Sequence, residues 1–247
     1  MLKQGEHFEP LGSGIEVIVS RENHFSTDTI LLADFAAPKK HENVIELGTG
    51  CGTISLLWCR NIPPKHITSV DIQESAADML ARSIAHNKLD EYITVINKDL
   101  NDLKGEVVFG SFDMCAMNPP YKIGGGGIVN PETSKQIARH ETMCTLDDIT
   151  RTASKLLRFG GRFCVCQRPE RLADVLLSMR NAGIEPKKLR LVQQRKSKAP
   201  KLFLAEGRQG GSSGGMVVMP TLFIEDDNGQ LSQEMINIYG DYKEDYL

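Results

Sequence analysis

Asn118-Pro119-Pro120-Tyr121 carries the most specific chemistry in the sequence. Two consecutive prolines fix φ and donate no hydrogen bond, so the carbonyls of this turn are held outward as acceptors. Asn118 adds an amide oxygen beside them. A planar nitrogen, such as the exocyclic amine of a base, is a poor nucleophile because its lone pair is delocalised. If Asn118 Oδ1 and the Pro119 carbonyl each accept one N–H, that nitrogen is drawn toward tetrahedral geometry and its lone pair is exposed to an electrophile. Positioning and electrostatic complementarity then carry the reaction, with no strong general base. Tyr121 offers a flat face to an extruded base, a contact worth about 1–3 kcal/mol.

A second cluster supplies the electrophile. In Glu46-Leu47-Gly48-Thr49-Gly50-Cys51-Gly52 the glycines alternate, permitting positive φ and close approach of a ligand to Gly48, Thr49, Gly50 and Gly52. A dinucleotide site needs its third glycine one residue later, so that a helix N-terminus meets the pyrophosphate. Glu46 would repel a diphosphate but attracts an ammonium, directly or through water. Asp71 lies where an acid accepts from both ribose hydroxyls, and Asp99 where one accepts from an adenine amine. Ile72 and Leu100, which follow these acids, are assigned to the same pocket, as is Asn118. One acid after each of three strands fits a nucleoside with a cationic tail, which is S-adenosylmethionine.

These residues need a scaffold that brings strand ends together. Asn43–Leu47, Ile67–Asp71, Tyr92–Ile96, Phe112–Met117 and Arg162–Gln167 read as strands. Helical patterns fall at 53–59, 74–89, 146–157 and 170–182. Such alternation predicts an α/β, Rossmann-like, doubly wound and mostly parallel sheet covered on both faces. Strands near 188–194, 201–206 and 215–224 complete it, the last two joined by Gly207–Gly215 as an antiparallel hairpin. Ser26-Thr27-Asp28 offers an N-cap to an apolar helix closed by Pro38. Residues 1–38 read as a cap within one domain spanning 1–247.

Composition sets bounds. At 247 residues the chain needs neither disulfide nor metal to hold its core. A net charge of -3 gives no global nucleic-acid signature, so a polyanion site must be a local basic patch. The six cysteines include no C-x-x-C pair, and Cys164 and Cys166 share one strand face; reduced, buried thiols are expected, with no metal. Without a signal-peptide apolar region or a membrane-length apolar run, the expected location is the cytoplasm, with no membrane partner.

Gly48–Gly52, Asp71, Asp99 and Asn118–Tyr121 together resemble class I methyltransferases of the amino-methylating type. More narrowly, Phe25–Leu32, the tetrad and Ala138-Arg139-His140-Glu141 resemble the bacterial valine-tRNA adenine-N6 methyltransferase family, over about residues 10 to 225. Arg168-Pro169-Glu170-Arg171-Leu172 is similar to the form in its Gram-positive members. The resemblance implies a tRNA partner methylated at an adenosine beside the anticodon. It also implies that Thr27 and Asp28 lie near the methionine end of the cofactor.

For RNA, Lys122, Lys135 and Arg139 flank the tetrad, with Lys122, Arg139 and Tyr121 assigned to substrate. Lys187, Lys188, Arg190, Arg195, Lys196, Lys198 and Lys201 form the densest basic stretch, a phosphate-binding surface or a solvated sheet edge. His140 reads as a loop-ordering residue, and Trp58 as core. Gly124–Gly127 departs from the bulkier residues of many relatives. The tetrad would polarise another base amine or a glutamine amide equally well, so those substrates stay open. A nicotinamide-dependent oxidoreductase and a silent S-adenosylmethionine-binding subunit are the readings from other classes.

Overall fold

The β-branched and aliphatic runs that end in glycine or acid turns form the centre of a nine-stranded sheet. The computed structural model describes residues 1–120 and 144–242. In chain order the elements begin with β1 (His7–Gly12), β2 (Ile15–Val19), α1 (Thr27–Ala36), β3 (Asn43–Leu47) and α2 (Thr53–Leu57). Next come β4 (His66–Asp71), α3 (Glu74–Asn87), β5 (Ile93–Asn97) and β6 (Phe112–Met117). Then follow α4 (Leu146–Leu156), β7 (Leu157–Gln167), a 3-10 turn at Pro169–Arg171 and α5 (Leu172–Asn181). The chain closes with β8 (Ile184–Gln193), β9 (Pro200–Gln209), β10 (Val217–Val218), β11 (Leu222–Phe223) and α6 (Gln233–Tyr239).

The strand order is β10-β8-β9-β7-β6-β3-β4-β5, with β11 also on β8. β5, β4, β3, β6 and β7 run parallel, while β9 is antiparallel to both β7 and β8. After β3 the chain proceeds outward through β4 and β5, then returns to the other flank of β3 as β6. Strand order therefore reverses between β3 and β6, which opens a crevice at their carboxyl ends.

Alternation along the strands separates two apolar layers. Val44, Ile67, Met114, Ala116, Cys164 and Cys166 face one cluster with α1, α2, α3 and the β1–β2 hairpin. Ile45, Val70, Cys115, Met117, Phe163 and Val165 face the other, against α4 and α5. Cys164 and Cys166 thus share a face, and Trp58 is buried with Nε1 donating to the Ala33 carbonyl at 3.1 Å. The hairpin is pinned to α3, where Ser83 Oγ and Asn87 Oδ1 accept the Ile18 and Glu16 N–H groups.

Three local expectations differ from the structure. The antiparallel hairpin is β8–β9, turned at residues 194–199, rather than the pair flanking Gly207–Gly215; the segment after those glycines runs along the outer side of β8, parallel to it. The gap left between the helix pattern ending at 157 and the strand starting at Arg162, which holds Gly160-Gly161, lies inside β7, which follows α4 directly. Ser26 occupies the α1 N-cap with extended backbone, yet its side chain makes no capping bond; its carbonyl takes the Thr29 N–H at 3.1 Å.

Candidate active site

A cleft of about 290 Å³ sits at the reversal point. Gly48 and Gly50 enter it after β3, Asp71, Ile72 and Gln73 after β4, and Lys98, Asp99 and Leu100 after β5. Asn118, Pro119 and Pro120 enter after β6. Parallel strands deliver all four turns to one edge, so residues as far apart in sequence as Gly48 and Pro120 line one cleft.

The glycine turn has two sides. Gly50 has φ 54°, and a side chain there would project into open space, so its backbone is presented to the cleft. Gly52 is the reverse: at φ 89°, an added Cβ would lie 2.2 Å from Leu80 Cδ1. Glu46 and Thr49 are buried behind the turn and do not line the cleft. Glu46 Oε2 accepts from Thr49 Oγ1 at 2.9 Å, from the Ser55 N–H at 3.1 Å and from Ser55 Oγ at 2.5 Å. Burial pushes the Glu46 carboxyl up to about 7, against the lowering effect of those hydrogen bonds. In this placement Glu46 ties the turn to α2.

Asp71 is 5% exposed. Its Oδ2 accepts the Gly50 N–H at 2.7 Å and its Oδ1 the Gln73 N–H at 2.9 Å, so it braces the glycine turn against its own loop. A carboxylate has about four lone-pair sites. A single carboxylate oxygen can accept more than one donor. Asp99 Oδ1 accepts the Asn101 N–H at 2.8 Å, shaping the third turn. Apolar Ile72 and Leu100 beside these acids provide walls for a flat ring. Open glycine backbone, the Asp71 and Asp99 carboxylates and apolar walls fit an adenosine-containing cofactor.

Asn118 ends β6, half-buried, and its Nδ2 donates to Thr29 Oγ1 at 3.4 Å. Helix α1 thus reaches the site through Thr29. Thr27 turns the other way, its Oγ1 lying 3.3 Å from the Tyr239 hydroxyl of α6, and neither Thr27 nor Asp28 lines the cleft.

The wall opposite the acids is formed by Gln167, Arg171, Cys144, Leu146 and Ile149. The sequence assigns none of these to the site: Arg171 falls in the Arg168–Leu172 run that carries part of the resemblance, and the others stand in no motif. Gln167 is 5% exposed and its Oε1 accepts the Arg168 N–H at 2.9 Å. The half-buried Cys144 thiol is pushed up to about 12 by burial, so it is neutral at physiological pH.

Tyr121, Lys122, Lys135, Arg139 and His140 fall outside the described residues, as does Gly124–Gly127. The basic stretch at 187–201 is largely engaged within the protein. Lys188 pairs with Glu206, Arg190 with Glu234, Arg195 with Glu225 and Lys196 with Asp227, while Lys187 Nζ donates to the Ser212 and Gly214 carbonyls. Among the described residues no group of three or more His, Cys, Asp or Glu could hold a metal ion. No helix among them is long and apolar enough to cross a membrane.

The fold is that of the class I methyltransferases. A solved structure described as a predicted O-methyltransferase from Agrobacterium tumefaciens superposes with a TM-score of 0.70 at 17% identity, over 87% of this chain and 97% of that one. M. jannaschii TYW2, solved in complex with AdoMet, has a TM-score of 0.58 at 14% identity, over 85% and 89%. The methyltransferase small domain model matches residues 18–181, and the chain belongs to that family. Among curated proteins, the tRNA1(Val) (adenine(37)-N6)-methyltransferase of Porphyromonas gingivalis is 26% identical over 219 residues, 86% of this chain and 85% of its own length.

Proposed function

We propose that this methyltransferase acts on N6 of an adenosine in tRNA, beside the anticodon of valine tRNA, with S-adenosylmethionine as its cofactor. The observation that carries the reading is Asn118-Pro119-Pro120 in the wall of a cleft whose other turns end in Asp71 and Asp99. The curated relatives at 25–27% identity share the tRNA adenine-N6 name, which supports the substrate. Residues 1–38 are read as a cap on one domain, because the hairpin and α1 share a single apolar cluster with the sheet.

When bound, the cofactor supplies a methyl group on a cationic sulfur. The chain's part is placement. Asp71 accepts from the ribose and Asp99 from the adenine amine, with Gly48 and Gly50 admitting the ligand against their backbone and Ile72 and Leu100 flanking the ring. Asn118 Oδ1 and the Pro119 carbonyl accept the two N–H groups of the target amine, concentrating its lone pair toward the methyl. Tyr121 stacks on the extruded base, and Lys122 and Arg139 meet the RNA backbone.

Incubation with unmodified valine tRNA and S-adenosylmethionine, followed by nucleoside mass spectrometry, should yield N6-methyladenosine. Asn118→Ala should abolish it while calorimetry still shows cofactor binding. Heat from a nicotinamide cofactor with none from S-adenosylmethionine would overturn the assignment.

A further inference from the structure

We propose that Thr29 is a positioning residue for methyl transfer, anchoring the Asn118 amide in the cleft wall; this rests on the function proposed above. Asn118 Nδ2 lies 3.4 Å from Thr29 Oγ1. An amide that donates through nitrogen on one edge carries its acceptor oxygen on the other. Asn118 lines the cleft, and a target amine brings two donors, so only an oxygen facing it is useful. The alternative orientation, rotated by half a turn, is nearly identical in shape and puts a donor against a donor. A hydroxyl at residue 29 accepts from Nδ2 in this arrangement, and that bond also polarises the amide oxygen; because a hydroxyl can donate as well as accept, what it fixes is the place of the amide in the cleft wall.

The support behind Thr29 is rigid. Ile30, Leu31, Leu32 and Ala33 of α1 are buried. Trp58 ties the middle of the helix through the Ala33 carbonyl. At its first turn Thr27 meets the Tyr239 hydroxyl of α6. Arg60 in turn holds the end of α6, donating to the Ile238 and Tyr239 carbonyls at 3.0 and 2.8 Å, and to Leu11 at 3.1 Å. Asn118 is therefore set by two rigid bodies, strand β6 beneath it and helix α1 beside it.

The test compares Thr29→Val, which keeps the shape and removes the hydroxyl, with Thr29→Ser, which keeps the hydroxyl. Thr29→Val should lower kcat about ten-fold, while the cofactor Kd by calorimetry stays within about two-fold of wild type. Thr29→Ser should return kcat to within about three-fold of wild type. Independently of turnover, the Asn118 side-chain amide signal in a ¹⁵N NMR spectrum, assigned from its loss in Asn118→Asp, should move in Thr29→Val and stay in Thr29→Ser. Equal kcat and an unmoved signal in Thr29→Val would overturn the proposal alone. Equal loss in both variants would assign Thr29 a packing role and also overturn it. A wild-type protein that binds cofactor but methylates no tRNA would overturn the functional reading, and this inference with it.

Discussion

Replacing Asp71 by asparagine tests the cofactor assignment with almost no change of shape. Both carboxylate oxygens are occupied by backbone donors, Gly50 N–H at 2.7 Å and Gln73 N–H at 2.9 Å, in a side chain only 5% exposed. Asparagine has one oxygen, so one N–H loses its acceptor and faces an NH2 group instead. A hydrogen bond to a charged group contributes about 1.5–3 kcal/mol, and the opposed donors add to the loss, so Asp71→Asn should cost about 2–4 kcal/mol. With a urea slope of about 3 kcal/mol per M, the midpoint should fall by about 1 M. One ribose hydroxyl also loses its acceptor, and about 1.5–3 kcal/mol there weakens the cofactor roughly ten- to hundred-fold. Urea melts read the first effect, and calorimetric titration with S-adenosylmethionine at a temperature where both proteins are folded reads the second. A cofactor affinity equal to wild type would refute the assignment of Asp71 to the ribose. An unchanged midpoint would refute its role in bracing the glycine turn.

Gly52→Ala should destabilise the fold by about 3 kcal/mol in urea melts, because it combines a positive φ with a Cβ 2.2 Å from Leu80 Cδ1. Glu46 has its carboxyl raised from 4.5 to about 7 by burial, so the native state holds a proton that the unfolded chain releases. Its contribution is complete below pH 4.5 and declines as pH rises toward 7, and Glu46→Gln should flatten unfolding free energy across that window in melts at pH 5 and 8. Arg162 is buried between Glu42 and Glu206, at 2.8 and 3.4 Å, and Arg162→Met should cost about 3–5 kcal/mol by leaving buried carboxylates without it. Adding Glu206→Gln to Arg162→Met should cost less than the sum of the single changes, as a double-mutant cycle would show.

The parallel strands and the three turns carrying Gly48, Asp71 and Asp99 were legible in sequence because they are local: an apolar run followed by a specialised turn. The turn Asn118-Pro119-Pro120 after β6 was legible for the same reason, since Pro119-Pro120 dictates its own backbone. The orientation of Glu46 was not, because Ser55 and Thr49 are ordinary residues whose role appears only when α2 folds back over β3. Thr27 and Thr29 stand two positions apart on a helix, and which of them meets Asn118 depends on how α1 lies against the sheet. The far wall at Gln167 and Arg171 depends on β7 being placed beside β6, a pairing that no single segment encodes. The basic run at 187–201 stayed open between a phosphate surface and a solvated sheet edge because Glu206, Glu225, Asp227 and Glu234, which engage four of its seven cations, lie elsewhere in the chain.

The insertion of β9 between β7 and β8 also bears on the order in which the nascent chain can finish folding. β7 and β8 leave the ribosome before the strand that joins them. Until residues 200–209 have emerged, β7 therefore exposes an open edge, and β8 has no strand between it and the rest of the sheet. A chain stalled near residue 199 would hold the glycine turn, the acids and Asn118, yet its sheet would end at β7, whose open edge lies beside the far wall of the cleft. Quality control that recognises open sheet edges would therefore act on this protein late in synthesis, with the cofactor-binding half already translated.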